Sequence, residues 1–262
     1  MRSYLDTAIA AASAAGTVLA ARFTEGTTSA PKGDKDVVTP MDHAAEQVCL
    51  SRLRQDFPDF SHEAEESGRR STGSSFTWYV DPLDGTANYL TGNPYFSVSI
   101  ALVQAGEVIT AVVHNPVTGD FFTAERGSGA RLNGSPIHAG SAAAAAEAMA
   151  ATAYSFEPAL ERESLRALRI LGSRFRRVVV NFAPALDLCN IARGRLSCLV
   201  DCGSTPVDHA AGSLVLTEAG GVLRNYGGGG WTIRDTGVVA STPSLAAELD
   251  RMLLPDATAV QQ

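Results

Sequence analysis

The secondary structure predicted from the sequence changes character near residue 150. Before it, apolar segments of strand length follow one another, and segments 96–103 and 107–114 form a hairpin around Gln104-Ala105-Gly106. After it, helical spacing alternates with short apolar strands from 158 to 254. We therefore predict a mixed α/β (α+β) chain of two packed subdomains, 1–150 and 151–262.

Composition and charge exclude several classes of protein. Of the 262 residues 45% are hydrophobic, and 21 Lys+Arg stand against 28 Asp+Glu, which gives a net charge of −7. A chain of this kind can bury a core and is too apolar to be disordered. Its negative charge argues against direct binding of nucleic acid or anionic lipid. If the ligand is phosphorylated, a metal ion is the expected source of positive charge.

The cysteines and the N-terminal segment predict a soluble, cytoplasmic protein. Four scattered cysteines favour buried apolar positions over a disulfide framework or a zinc site. The alanine-rich stretch Ile9–Ala21 is interrupted by polar residues and favours an amphipathic core helix over a signal peptide. No apolar run is expected to reach membrane-spanning length, so no membrane partner is predicted.

An apolar strand is followed by the segment Asp81-Pro82-Leu83-Asp84-Gly85-Thr86, which has more candidate metal-binding and anion-binding groups than any other short segment. Pro82 fixes its own φ and biases Asp81 toward extended backbone, which makes a stiff corner. Two carboxylates three residues apart, with the Leu83 carbonyl between them, can converge on a hard cation such as Mg²⁺. Gly85-Thr86 can open a short helix whose amides face an anion. An ordinary Asx turn with a helix cap is the alternative for this hexapeptide alone.

Three other acidic sites each have a simple structural interpretation. Glu65-Glu66 can be a solvated loop, and Asp36 with Asp42 can cap the helix that begins at Thr39-Pro40. Asp208 can complement a helix dipole. Their coincidence in one chain favours a shared metal site.

These segments together resemble the inositol monophosphatase family, in the family's order and over nearly the whole length. The resemblance rests on five stretches of sequence: Asp36–Asp42, Glu65-Glu66-Ser67, Trp78–Tyr89, Val207–Gly212 and Glu218–Gly221. It implies a layered αβαβα sandwich of the sugar-phosphatase type. It further implies a homodimeric, Mg²⁺-dependent and lithium-sensitive phosphatase of a small phosphorylated substrate.

The resemblance also implies roles for single residues. The ligands of two or three Mg²⁺ ions would be Glu65, Asp81, the carbonyl of Leu83, Asp84 and Asp208. Gly85 and Thr86 would bind the phosphate through their backbone amides. Asp42, Glu65 and Thr86 would be the catalytic residues, with Thr86 and Asp42 positioning and deprotonating the attacking water.

The predicted substrate pocket departs from the family pattern. Phe182-Ala183-Pro184 stands where the family has Gly-Ser-Ala, and Asp201 stands where inositol-selective members have a glutamate. Changes of this kind alter volume and hydrogen-bonding reach, and can move specificity far. Inositol monophosphate is the lead substrate, with histidinol phosphate, an aminocyclitol phosphate or a nucleotide 3′-phosphate as alternatives. A regulatory, protein-binding role is the alternative of a different class, since some family members associate with the transcription machinery.

Overall fold

The computed structural model describes residues 3–32, 37–141 and 144–253, and its helices begin close to the predicted positions. Asp36 lies outside the described residues. Four helices start at a proline, which suits the first helical turn because its missing N–H has no partner to lose there. The α-helices are α1 (Tyr4–Phe23), α2 (Pro40–Asp56), α3 (Thr86–Leu90), α4 (Pro158–Arg174), α5 (Pro184–Ala192), α6 (Pro206–Glu218) and α7 (Ala246–Leu253).

The strands form one large sheet, one smaller sheet and a short ribbon. The ribbon pairs β1 (Ala30–Pro31) with β2 (Val37–Val38). The large sheet has the order β10-β9-β8-β7-β6-β5-β3-β4, and the smaller has the order β12-β11-β13-β15-β14. The strands of the large sheet are β3 (Ser61–Ala64), β4 (Gly68–Arg70), β5 (Phe76–Asp84), β6 (Ser97–Gln104), β7 (Glu107–Asn115), β8 (Asp120–Glu125), β9 (Ala130–Leu132) and β10 (Ser135–Ile137). The strands of the smaller sheet are β11 (Met149–Thr152), β12 (Arg177–Val179), β13 (Cys198–Asp201), β14 (Val222–Arg224) and β15 (Val238–Ser241).

Three apolar cores separate five layers, as the predicted αβαβα sandwich requires. The first lies between α1 with α2 and the large sheet. The second lies between the large sheet, the α5–α6 pair and the smaller sheet, and the third between the smaller sheet and α4 with α7. The strands pass from one sheet to the other between Ile137 and Met149. The second core draws on both halves of the chain, and the division into subdomains 1–150 and 151–262 stays a prediction.

Helix α1 corrects one expectation. Its 20 residues are long and apolar enough to cross a membrane by length and composition, which the sequence analysis had excluded for every segment. The helix packs against α2 and the large sheet through a stripe of fully buried small residues that includes Ala8, Ala12 and Ala15. Leu5 and Ile9 are only half buried, because the close approach falls on the alanines instead.

All four cysteines are free and buried, as predicted. Within its described part, the alanine run Ser141–Ala150 forms a short 3-10 turn, Ala145–Glu147, and enters β11. Val48 shares its helical spacing with the buried Ala45 and Cys49 but is exposed, because α1 covers a neighbouring face of α2.

Candidate metal centre and active site

A cleft of 290 Å³ opens where β5 and β13 end and where α3, α5 and α6 begin. Most of the predicted site residues line it, although they come from segments far apart in the chain. Those that line it are Glu65, Asp81, Leu83, Asp84, Gly85, Thr86, Phe182, Pro184, Asp201 and Asp208. Asp42 lies beside the cleft and reaches it through Thr86, and Ala183 is buried behind it.

The two aspartates of the central segment lie on a corner at the end of β5. Asp81 pairs with Ser99 and Asp84 pairs with Ser97, with a bulge between them because Pro82 has no N–H to give to the ladder. The Leu83 amide donates to Asp81 Oδ1 at 2.9 Å. The Ala185 amide donates to Asp84 Oδ2 at 3.1 Å, which ties the corner to the start of α5.

Gly85 makes the turn from β5 into α3. Its φ of +96° lies in the left-handed region, and a Cβ there would stand 3.1 Å from the Tyr95 carbonyl oxygen and 3.3 Å from the Ala183 Cβ. Only glycine fits without strain. The amides of the first helical turn have no partner inside a helix, so this turn can offer donors to an anion. Ala183, predicted to contact substrate, packs against this turn instead.

Thr86, which is half-buried, and Asp42, which is buried, form a hydrogen-bonded pair at the cleft. The Thr86 hydroxyl donates to Asp42 Oδ1 at 3.0 Å. The other oxygen of Asp42 accepts from the Thr39 amide at 2.8 Å and the Thr39 hydroxyl at 2.6 Å, as part of the cap of α2. Burial raises the pKa of Asp42. The predicted cap and the predicted catalytic contact are therefore made by one carboxylate.

Lys32 enters the site from a position that the sequence analysis missed. Its Nζ lies 2.8 Å from Glu65 Oε1 and 2.6 Å from Glu66 Oε1. Glu46, also missed, accepts from the amides of Glu66 and Ser67 and so holds this loop. A single lysine beside a turn gives no sequence signal, whereas Glu46 lies one helical turn after Asp42 on α2.

The carboxyl groups of the cleft repel one another. Burial raises the pKa of Asp81 and of Asp84 well above the usual range. Glu65 raises the pKa of Asp81 further, and Asp208 raises that of Asp84 further. Burial and Glu65 raise the pKa of Asp208 to about 7. A cation relieves such repulsion, and an all-oxygen donor set matches Mg²⁺. These residues therefore fit the ion that the resemblance implies.

The carboxylates do not form a closed cage. Among the described residues, no group of three or more acidic, histidine or cysteine side chains is arranged to hold an ion at one point. Their oxygens are engaged elsewhere: Lys32 contacts Glu65, Ser97 donates to Asp84, and Thr205 donates to Asp208 as the cap of α6.

The side of the cleft that carries Phe182 and Asp201, predicted to contact the substrate, is lined by three aromatic rings. Phe182 adopts a φ of +51°, which explains why the family has glycine here. Asp201 points inward, and its Oδ1 accepts from the amides of Gly203 at 2.9 Å and Ser204 at 3.0 Å. Tyr154 and Phe156, which were not predicted, complete this side. Two aromatic residues separated by one position, Tyr154 and Phe156, were the available signal.

Two buried polar groups support the walls of the cleft. Asp187, missed in the sequence, accepts from Tyr95 Oη at 2.6 Å and Asn181 Nδ2 at 2.7 Å, and burial raises its pKa to about 7. Burial lowers the pKa of His209 to about 3, which keeps its ring neutral. Trp231 Nε1 donates to His209 Nε2, so Nδ1 carries the proton that His209 shares with Ser204.

A larger cavity of 580 Å³ lies at the turn between β6 and β7, on the far side of α6. Its charged side chains include Arg126, which is paired with Glu107 and also donates to the Val108 carbonyl. It holds none of the predicted site residues, and the smaller cleft is the candidate active site.

Comparisons with known proteins agree with this geometry. The pattern of the inositol monophosphatase family matches residues 1–262. The chain is 36% identical over 250 residues to Nus factor SuhB of Vibrio cholerae, covering 93% of this chain and 92% of the relative. The structure of extragenic suppressor protein suhB from Bartonella henselae superposes with a TM-score of 0.90 at 31% identity, covering 95% of this chain and 97% of that chain. An inositol monophosphatase from Anabaena gives 0.84 at 31% identity, covering 98% of both chains.

The match of the whole length, the shared fold and the order of the acidic segments lead to one assignment. This chain belongs to the inositol monophosphatase family.

Proposed function

We propose that this protein hydrolyses the phosphate monoester of a small molecule in a Mg²⁺-dependent reaction. The observation that carries the proposal is the meeting of Glu65, Asp81, Asp84 and Asp208 in one cleft, beside the turn at Gly85. The family assignment supports it. The resemblance further supports a homodimeric enzyme of the cytoplasm.

The metal ligands in this proposal are Glu65, Asp81, the Leu83 carbonyl, Asp84 and Asp208, which would hold two or three ions. When bound, Mg²⁺ supplies the positive charge that an acidic chain lacks, and it lowers the pKa of the attacking water. Lys32 contributes part of this charge at Glu65.

The chain's own residues bind the phosphoryl group and move a proton. The amides of Gly85 and Thr86 face the phosphate oxygens. The Thr86 hydroxyl, which already donates to Asp42, accepts a hydrogen bond from the attacking water and so orients it. Asp42, whose pKa burial raises, is the proton acceptor at the end of this path.

Phosphate release from a panel of monoesters, with and without Mg²⁺, tests the proposal. Inositol monophosphate is the first substrate, and histidinol phosphate, an aminocyclitol phosphate and a nucleotide 3′-phosphate follow. Asp84→Asn keeps the shape of the side chain but removes a ligand charge, so we expect turnover to fall about 100-fold or more. Asp59→Asn, the same change at an exposed position, is the control. Full activity of Asp84→Asn would contradict the ligand assignment.

A second candidate function is a regulatory role through a protein partner. The identity to Nus factor SuhB of Vibrio cholerae favours it. The measurement is binding to a reconstituted transcription elongation complex by wild type and Asp84→Asn. Equal binding by both proteins supports a regulatory role that is independent of catalysis, and absence of binding by either rejects it.

A further inference from the structure

Three aromatic side chains form one wall of the cleft, which we call the aromatic wall: Tyr154, Phe156 and Phe182. The rings of Phe156 and Phe182 stack with centroids 6.1 Å apart and planes at 9°. Tyr154 meets Phe156 edge-on at 5.1 Å, and its hydroxyl donates to Glu161 at 2.6 Å. Together the three rings give one side of the cleft, which Gly85 also lines, an apolar aromatic surface.

The aromatic wall lowers the stability of the unliganded protein in two ways, through exposed apolar area and through backbone strain. Of the phenylalanines in the chain, Phe156 at 45% and Phe182 at 38% are the exposed ones. Phe182 also holds its backbone in the left-handed region, which is strained for a bulky side chain. Exposed rings and a strained backbone in one cleft mark a binding surface, because a ligand that covers the rings offsets both costs.

Among the described residues, several polar atoms near the wall are already hydrogen-bonded. Asp201 accepts from two backbone amides, and the Ser204 hydroxyl is bonded to His209 at 3.0 Å. Ser155 Oγ accepts from the Glu157 amide. A ring of hydroxyls would compete with these bonds, whereas an aromatic ring would lie on the wall without disturbing them.

We propose that the aromatic wall binds the leaving group, and that the preferred substrates are phosphate monoesters whose alcohol carries an aromatic ring. The inference rests on the proposed function, since it takes the phosphoryl group to lie at Gly85 and Thr86. The wall selects by stacking, and stacking favours an aromatic ring over a saturated ring of the same size.

The test compares two esters that differ only in the ring. We measure kcat/KM for phenethyl phosphate, cyclohexylethyl phosphate and inositol monophosphate. The wild type should prefer the phenyl ester to the cyclohexyl ester by about 3- to 10-fold, and should prefer it to inositol monophosphate as well. Phe182→Gly removes a ring and relieves the left-handed backbone, so the variant should fold and lose the preference. Phe156→Leu keeps apolar surface and should weaken it.

Val117→Ala is the matched control, because Val117 is another exposed apolar residue, in the turn after β7 and away from the cleft. It should keep the ring preference. Equal kcat/KM for the two ring esters, a preference for inositol monophosphate over both, or an unchanged preference in Phe182→Gly would each overturn the inference while leaving phosphatase activity in place.

Binding separates this inference from the proposed function. The phenethyl and cyclohexylethyl phosphonates cannot be hydrolysed, and their affinities are measured by titration calorimetry with Mg²⁺ present. Ring-dependent binding without hydrolysis of any ester would reject the phosphatase and keep the aromatic wall. Equal affinity for the two phosphonates would reject the wall.

Discussion

At Gly85 an added side chain would meet both an unfavourable left-handed backbone and a steric clash. Comparison with Gly92, where only the backbone effect applies, separates the two. Gly92 also has a positive φ, +73°, but a Cβ there would meet nothing within 4 Å. We expect Gly92→Ala to cost about 1 kcal/mol from backbone strain alone. Gly85→Ala should cost about 1–3 kcal/mol more, because the new Cβ meets the Tyr95 carbonyl, and should abolish phosphate release. Urea unfolding and turnover measure both, and equal losses of stability would contradict the steric argument.

His62 makes the stability of the fold depend on pH. Its Nε2 lies 2.9 Å from Arg54 Nη2, and it must accept because arginine only donates. Burial, with Arg54 and Arg70, lowers its pKa to about 4. The unfolded chain, with an ordinary histidine pKa near 6.5, therefore binds more protons as the pH falls. His62 stabilises the fold fully above pH 6.5, and this contribution is lost as the pH falls toward 4.

The magnitude of this effect can be measured by chemical unfolding at two pH values. Between pH 7.5 and pH 5 the wild type should lose about 2 kcal/mol through His62. In His62→Gln the glutamine oxygen can still accept from Arg54. The variant should therefore lose about 2 kcal/mol less unfolding free energy than the wild type over the same pH range. His43→Gln, at an exposed position on α2, should behave as the wild type. A wild-type pH dependence in His62→Gln would show that another group is responsible.

Single residues were predictable where a local pattern defines them. The corner at Asp81–Thr86 consists of consecutive residues, so the sequence alone could predict that the carboxylates of Asp81 and Asp84 lie close together. Lys32 reaches Glu65 only because distant segments meet there, and no neighbour in sequence reveals it. Phe182 was found as a departure from the family pattern, but its backbone conformation required the structure.

At the level of elements, the close packing of α5 against α6 depends on Gly212. A Cβ there would lie 2.9 Å from the Leu188 Cβ and 3.0 Å from the Ala185 carbonyl oxygen. Gly212→Ala should therefore push the helices apart and cost about 1–3 kcal/mol. Gly172, an exposed glycine in α4 with nothing within 4 Å of a Cβ, is the control. Gly172→Ala should stabilise the protein by up to about 1 kcal/mol, since alanine favours a helix.

Opposite signs for these two substitutions in thermal unfolding would support the packing argument. A neutral or stabilising Gly212→Ala would show that α5 and α6 can separate without loss. The start of α5 carries the Ala185 amide that holds Asp84, so Gly212→Ala should also reduce turnover.

The positions of helices and strands were easier to predict from the sequence than the pairing of the strands. Gln104-Ala105-Gly106 placed the β6–β7 hairpin, because glycine readily adopts the positive φ that this turn needs. Thr39-Pro40 placed the start of α2. The sequence alone could not give the pairing of β3 with β5 or of β11 with β13, which are parallel and join segments distant in the chain.

For the whole molecule, we expect Mg²⁺ to stabilise the fold through the repelling carboxylates of the cleft. At ten times its Kd, an ion that binds only the folded state adds about 1.4 kcal/mol. Asp84→Asn should be more stable than the wild type without Mg²⁺, because it removes a buried charge that Asp208 repels. It should gain little when Mg²⁺ is added. Thermal unfolding at matched ionic strength measures this, and an equal Mg²⁺ response in both proteins would argue against Asp84 as a ligand.

Helix α1 has a consequence for how the protein is made. It packs against α2 and against β6 and β7, and those strands follow it by dozens of residues in the chain. While the ribosome is still making them, a helix with membrane-like hydropathy has no sheet to cover it. The nascent chain therefore passes through a stage in which the apolar stripe of α1, buried in the finished protein, is still uncovered.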